Sequence, residues 1–156
     1  MPCPRWYGVN WPGGAESFCP VSIAMHGLHL VADSYDCTCP PWLLTDADAL
    51  AAQCRQLTEA AGLTIVGEHW HAFPPRHSQP GGVTGMLLLA ESHLAIHTWP
   101  ECAGVTLDVY VCNFTGDNSC RAEWLMQALL ACLHPGTVRQ QRLLRGQVPQ
   151  LPRPPS

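Results

Sequence analysis

The sequence predicts a two-layer α+β sandwich, a mainly antiparallel sheet with helices on one face. Three observations lead there. The chain has 156 residues and 17.0 kDa, the size of one ordinary domain, and a chain of that length hides roughly 68–70% of its unfolded surface. Several segments alternate apolar and polar residues with the period of two that a half-buried strand imposes, and two others recur at helical spacing. Their order, β-α-β-β-β-α-β, joins most strands as neighbours and leaves the helices to cover one side of the sheet.

The elements follow in order. Residues 1–25 are rich in Pro, Gly and Trp without a period, and are expected to form an irregular extension. His26 to Tyr35 alternates as a strand and runs into a loop rich in Cys and Pro. Thr45 is the expected cap of a helix, with Asp48 three residues on, as in a capping box. Leu50, Cys54, Leu57 and Ala61 then share a helical face, and Gly62 supplies the stop. A second strand is expected over Leu63 to Phe73, a loop from Pro74 to Gly82, and a strongly apolar strand from Val83 to Glu91. Ser92 to Thr98 continues extended, and Trp99-Pro-Glu turns the chain. Val105 to Cys112 alternates again, Cys120 to His134 is an amphipathic helix carrying Leu125, Leu129 and Leu133, and Thr137 to Arg145 is a last strand. The folded domain therefore spans 26–146, followed by a loose Pro-rich tail, 147–156.

Composition removes several function classes. Charged residues make up 13% and hydrophobic residues 47%, which excludes a disordered chain. A net charge of −4 and a pI near 6.0 offer no basic footprint for a nucleic acid. No apolar run approaches a membrane span and the first residues lack an apolar signal segment, so no membrane partner is expected and the cytoplasm is the default compartment. Nine cysteines is an odd count for a disulfide scaffold. Cys37 and Cys39, with Cys19 nearby, suggest a metal site, but no second pair stands at zinc-ribbon spacing, and no metal is expected. All eight cationic side chains are Arg, which leaves no lysine amine to tether pyridoxal phosphate.

The chemistry is densest in Ala90-Glu-Ser-His-Leu-Ala-Ile-His-Thr-Trp-Pro-Glu101, just after the apolar strand. Three readings compete. Ser92 with His97 is a candidate hydrolase pair, but no Gly-x-Ser-x-Gly elbow surrounds the serine. His93 and His97 are candidate metal ligands, but in an extended segment they stand about four strand rises apart, too far for easy chelation. The third reading is a backbone rearrangement at the Glu91–Ser92 bond.

That twelve-residue stretch resembles the signature of the prokaryotic S-adenosylmethionine decarboxylases, self-processing pyruvoyl enzymes. The similarity extends to Gly82-Val-Thr-Gly, Leu107-Asp-Val-Tyr-Val-Cys112, Gly27-Leu-His-Leu-Val-Ala-Asp-Ser-Tyr35 and His69-Trp-His-Ala-Phe73, and so covers roughly 26–146. The resemblance implies cleavage between Glu91 and Ser92 and conversion of Ser92 to a pyruvoyl group, which forms a Schiff base with the substrate amine and replaces pyridoxal as electron sink. By matching position His97 is the proton acceptor in processing, and an imidazole suits proton transfer because its unperturbed pKa is about 6.5. Thr84 is the hydroxyl that supports processing, standing where the family usually has Ser. Cys112, twenty positions after Ser92 as in the family pattern, is the implied proton donor to the decarboxylated substrate, and a thiol, with a reference pKa of about 8.5, suits an acid at neutral pH. Glu101, Phe73 and Trp70 are the expected substrate-binding residues. The family also implies a homodimer of processed α/β protomers that share active sites across a helix-free sheet face.

Two departures touch the substrate. Cys102-Ala-Gly104 stands where the family has an aromatic or His followed by Gly and Tyr, and the link from Phe73 to Gly82 is longer than usual. S-adenosyl-L-methionine remains the first expectation. The alternative is L-arginine or L-ornithine on the same scaffold, with Glu101 or Glu68 facing a cationic tail. A processing-dead partner subunit is the remote alternative.

Overall fold

The structure, a computed structural model, describes residues 26–114 and 116–146. The expected extension 1–25, the tail 147–156 and Cys19 lie outside them. Strands β1 (Gly27–Tyr35), β2 (Ile65–Ala72), β3 (Val83–Leu89), β4 (Ser92–Trp99), β5 (Gly104–Cys112) and β6 (Thr137–Arg145) form one six-stranded sheet in the order β2-β3-β4-β5-β1-β6. Every neighbouring pair is antiparallel. The helices are α1 (Trp42–Thr45), α2 (Ala47–Ala60) and α3 (Ser119–Leu133). This is the α+β architecture the alternation predicts.

Period-two alternation makes the sheet two-faced. Leu28, Leu30, Leu87, Leu94, Ile96 and Leu107 are buried on one face and form a single core with Leu50 and Cys54 of α2 and Leu125, Met126, Leu129 and Leu133 of α3. Burying a leucine contributes about 1.5–3 kcal/mol, so this shared face is what holds the layers together. α2 lies over β2 and β3, and α3 over β1 and β5. The opposite face carries His29, Thr84, Met86, His93, His97 and Tyr110, each half-buried or exposed, and among the described residues no helix covers it.

Sequence and structure differ at three local points. The α2 cap is Asp46, whose carboxylate accepts from Asp48 N at 3.0 Å and Ala49 N at 3.1 Å. Thr45 cannot cap it because Thr45 ends α1, where its hydroxyl donates back to Pro41 O at 3.1 Å. Four residues give no amphipathic period, so α1 left no trace in the pattern. The apolar strand ends at Leu89 rather than Glu91, since Ala90 and Glu91 turn the chain. Buried Thr98 ties these parts together: its hydroxyl donates to Leu44 O at 2.6 Å and accepts from Val83 N at 2.7 Å. Among the described residues, no helix is long and apolar enough to cross a membrane.

Candidate active site

The β3–β4 hairpin brings the first group of residues together. Leu89 pairs with Ser92, so Ala90 and Glu91 alone turn the chain, and Glu91 takes φ +66°. A left-handed backbone at a non-glycine residue costs about 1–3 kcal/mol and persists only where its surroundings enforce it. Here Ala90 N donates to Thr64 O at 2.9 Å and the β4 ladder begins at once on the other side. Ser92 pairs with Val111, and its hydroxyl accepts from the N–H of Cys112 at 3.2 Å. Glu91, Ser92 and Cys112, twenty positions from Ser92 in sequence, therefore meet at one end of β4.

A polar cluster lies beside them on the helix-free face. His29 Nε2 is 2.9 Å from Asp108 Oδ1, and Arg145 Nη1 is 3.2 Å from His29 Nδ1. A guanidinium only donates, so His29 accepts at Nδ1 and carries its proton on Nε2, aimed at the Asp108 carboxylate. The Arg145 guanidinium sits 5.2 Å from the centre of the Tyr110 ring. His93 packs against His29 and Tyr110 at 6.1 and 5.5 Å between ring centres. Burial, and then the neighbouring His29 and Arg145, hold the His93 pKa below the usual imidazole range against the opposing pull of Asp108.

The second group stands at the other end of β4. His97 pairs with Thr84 across the β3–β4 ladder, and His97 Nδ1 is 2.6 Å from the Thr84 hydroxyl. Both line a cleft of about 570 Å³ with Phe73, Arg76, Trp99 and Glu101. Gly82 closes its floor, where an added Cβ would come within 2.0 Å of Thr98 O. Glu101 follows Pro100 in a 3-10 turn at the end of β4, which points it back at the cleft.

The structure thus joins Ser92 to Cys112 and His97 to Thr84, Phe73 and Glu101, and separates the two groups. Five residue steps divide Ser92 from His97, about 17 Å along an antiparallel strand. Two expectations need correction. Trp70 faces the helix layer, opposite the cleft: it pairs with Gly85, packs against the core, and donates from Nε1 to Glu68 at 3.0 Å. Glu68 is held by Arg55 of α2, with Nη1 at 2.7 and 2.9 Å from its two oxygens, which lowers its pKa and leaves it no access to the cleft. Cys37 and Cys39 are buried, and burial pushes the Cys37 thiol up to about 11, with Cys39 and Asp36 adding to the shift. His29, Asp108 and Arg145 escaped sequence reasoning because only the order β5-β1-β6 makes them neighbours. Arg76 escaped it because its loop shows no period.

Known proteins resemble this chain over the same region. The family model described as S-adenosylmethionine decarboxylase matches residues 28–146. The S-adenosylmethionine decarboxylase proenzyme of Aquifex aeolicus is 39% identical, with 77% of this chain and 81% of that protein covered. The proenzyme of the same name from Picrophilus torridus is 33% identical, with 77% and 84% covered. Among solved structures, the adenosylmethionine decarboxylase from Aquifex aeolicus superposes with a TM-score of 0.69 at 31% identity, covering 82% of this chain and 97% of that one.

Proposed function

The chain belongs to the S-adenosylmethionine decarboxylase family, and on that premise we propose that it cuts itself between Glu91 and Ser92 and works through a pyruvoyl group made from Ser92. It is a carboxy-lyase of polyamine biosynthesis, made as a proenzyme, and S-adenosylmethionine is its substrate. The observation that supports the self-processing most directly is the backbone of Glu91, strained at φ +66° beside the bond to be broken.

The steps follow from the residues. The Ser92 hydroxyl attacks the Glu91 carbonyl carbon, the C–N bond breaks, and an ester replaces the amide. Loss of the Ser92 α-proton expels the Glu91 carboxylate; water then releases ammonia from the dehydroalanine and leaves the pyruvoyl carbonyl at position 92. The products are chains 1–91 and 92–156. The N–H of Cys112, 3.2 Å from the Ser92 oxygen, holds the nucleophile in position. His97, paired with the Thr84 hydroxyl at 2.6 Å, is the base that takes the α-proton, and the hydroxyl orients the imidazole. In the mature enzyme the pyruvoyl group supplies an electron sink for loss of carbon dioxide. Cys112 then delivers a proton to the substrate carbon, while Phe73 and Glu101 receive the distal end of the substrate in the cleft.

A base about 17 Å away along the strand cannot reach the Ser92 of its own chain. The reading therefore includes a homodimer in which the helix-free faces meet about a two-fold axis. Such an axis brings the Ser92 end of one β4 to the His97 end of the other and makes two equivalent sites. Exposed Met86 and Leu88, on the same face, supply apolar surface for that contact.

Mass spectrometry of the purified protein tests the processing. Two chains divided at 91/92, the second with a pyruvoyl terminus, are expected, and Ser92→Ala should leave a single 17.0 kDa chain that releases no carbon dioxide. A wild-type protein that stays whole overturns the reading. Carbon dioxide release from S-adenosylmethionine, arginine and ornithine, compared side by side, tests the substrate.

A further inference from the structure

The connection between β2 and β3 is folded in a way its length does not require. Phe73 N donates to Gly82 O at 2.9 Å, and beyond that bond Arg76 and Gln79 close a miniature hairpin with reciprocal backbone bonds of 3.0 and 2.9 Å. Its two central residues, His77 and Ser78, have φ +49° and +66°. This is the type I′ pattern, which favours Asn-Gly because both central residues are left-handed. His-Ser holds it at a cost in backbone strain, and such strain marks segments whose placement matters. The base of the hairpin is equally confined: a Cβ on Gly81 would stand 1.9 Å from Phe73 O.

What this geometry delivers is Arg76 on the wall of the cleft, together with Phe73, His97 and Glu101. Its guanidinium has no ion pair among the described residues. Phe73, 51% exposed on the same wall, packs edge-to-face with the His71 ring at 4.9 Å and keeps aromatic surface open to the cleft.

We propose that Arg76 determines specificity in the cleft: its planar guanidinium stacks on the adenine of the substrate and so selects amino acids that carry one. The inference rests on the reading of the chain as an S-adenosylmethionine decarboxylase. Guanidinium is flat and weakly hydrated, and it stacks on π systems where an ammonium cannot. Adenine is neutral and offers it a face. Arginine and ornithine share the reacting end of S-adenosylmethionine but carry no adenine, so they leave the Arg76 guanidinium without a face to stack on. One side chain therefore favours the right tail through a contact the others cannot make.

The test uses processed wild-type enzyme, Arg76→Ala and Arg76→Lys, with 5′-methylthioadenosine as a probe that has the adenine but neither amino acid nor charge. Self-cleavage of each variant reports that it has folded. Arg76→Ala should raise KM for S-adenosylmethionine about ten-fold, the scale of one lost stacking contact, with kcat within about two-fold. It should weaken inhibition by methylthioadenosine by the same factor. Arg76→Lys, which keeps the charge and loses the plane, should recover less than half of either loss. An active wild type whose Arg76→Ala variant is unchanged in KM and in methylthioadenosine inhibition overturns this inference alone, as does full recovery by lysine. A wild-type enzyme inert toward S-adenosylmethionine overturns the reading of the cleft and the inference with it.

Discussion

The two ends of strand β4 are built on different principles. At the Ser92 end the backbone does most of the positioning, through a strained Glu91 and the Cys112 N–H donating to the serine hydroxyl, beside a side-chain cluster of His29, Asp108 and Arg145 drawn from three strands. At the His97 end side chains surround a cleft, and one short bond between Thr84 and His97 sets the imidazole. In the proposed function the first end holds the bond that breaks and the second holds the groups that move protons and bind substrate. On that reading neither end is a complete site. A strand joins them at a fixed separation, so in the proposed homodimer each end serves the partner's opposite end.

Mixing variants is the sharpest way to break that comparison. Ser92→Ala and His97→Ala homodimers should each be inactive, since each lacks one half of both sites. Co-expressed in equal amounts, they should recover about a quarter of wild-type activity, because half the dimers are mixed and each of those keeps one intact site. Carbon dioxide release from the co-purified protein measures it. No recovery in a mixture proven to contain mixed dimers would mean that each chain serves itself.

Next in size is Cys112→Ala. Loss of a general acid lowers turnover by about a hundred-fold or more, while the bond to Ser92 comes from the backbone N–H of residue 112 and survives the substitution. Cleavage should therefore proceed at the wild-type rate while product formation falls. Equal turnover would remove Cys112 from its role; equal loss of cleavage would make it part of the processing end instead.

Much of this fold is legible in the sequence. β1 and β5 alternate so regularly that their buried faces can be written down from the residues, and Leu125, Leu129 and Leu133 mark the inner face of α3. The site is legible in a different sense. The stretch from Ala90 to Glu101 names its residues and misleads about their distances, because a strand spreads neighbours in sequence by over 3 Å per residue. Trp70 and Phe73 stand three apart in one segment and end on opposite faces, which the alternation of β2 dictates once its register against Gly85 is known. The His29, Asp108 and Arg145 cluster depends on strand order, which no local pattern encodes. The His77-Ser78 turn lacks the glycine that announces a type I′ turn.

Two glycines sharpen the contrast through stability. Gly85, at the His97 end, has the Trp70 ring against it, so that an added Cβ would lie 1.9 Å from a ring carbon; at Gly27, at the Ser92 end, it would lie 2.8 Å from both the Tyr110 ring and the Val111 carbonyl oxygen. Gly85→Ala must push a tryptophan off the core edge and should cost about 1–3 kcal/mol, read as a lower midpoint in urea. Gly27→Ala should cost less, because its nearest contacts stand at 2.8 Å rather than 1.9 Å, although one of them is the Val111 backbone carbonyl, which can shift only with its strand. The reverse order would place the tighter packing at the Ser92 end. The same unfolding measured against pH reads the Ser92 end alone. The folded state holds His93 below its ordinary pKa, so the unfolded chain takes up the proton first, and stability falls as pH drops through about 6.5. His93→Phe should flatten that slope.

Thr84 gives the smallest effect, and it separates two roles of one residue. The hydroxyl bonds to His97 at 2.6 Å, whereas the methyl, absent from the Ser usual at this position, only stiffens the side chain and crowds its surroundings. Removing the hydroxyl leaves the imidazole unoriented at Nδ1, so Thr84→Ala should slow cleavage about ten-fold or more, the scale of a lost hydrogen bond to a half-buried group. Removing the methyl leaves the bond in place, so Thr84→Ser should stay within about three-fold of wild type. The rate at which the whole chain disappears after synthesis, followed on gels, measures both. If serine changed the rate as much as alanine does, the methyl would be setting the imidazole, and the His97 end would depend on packing as closely as the Ser92 end depends on its backbone.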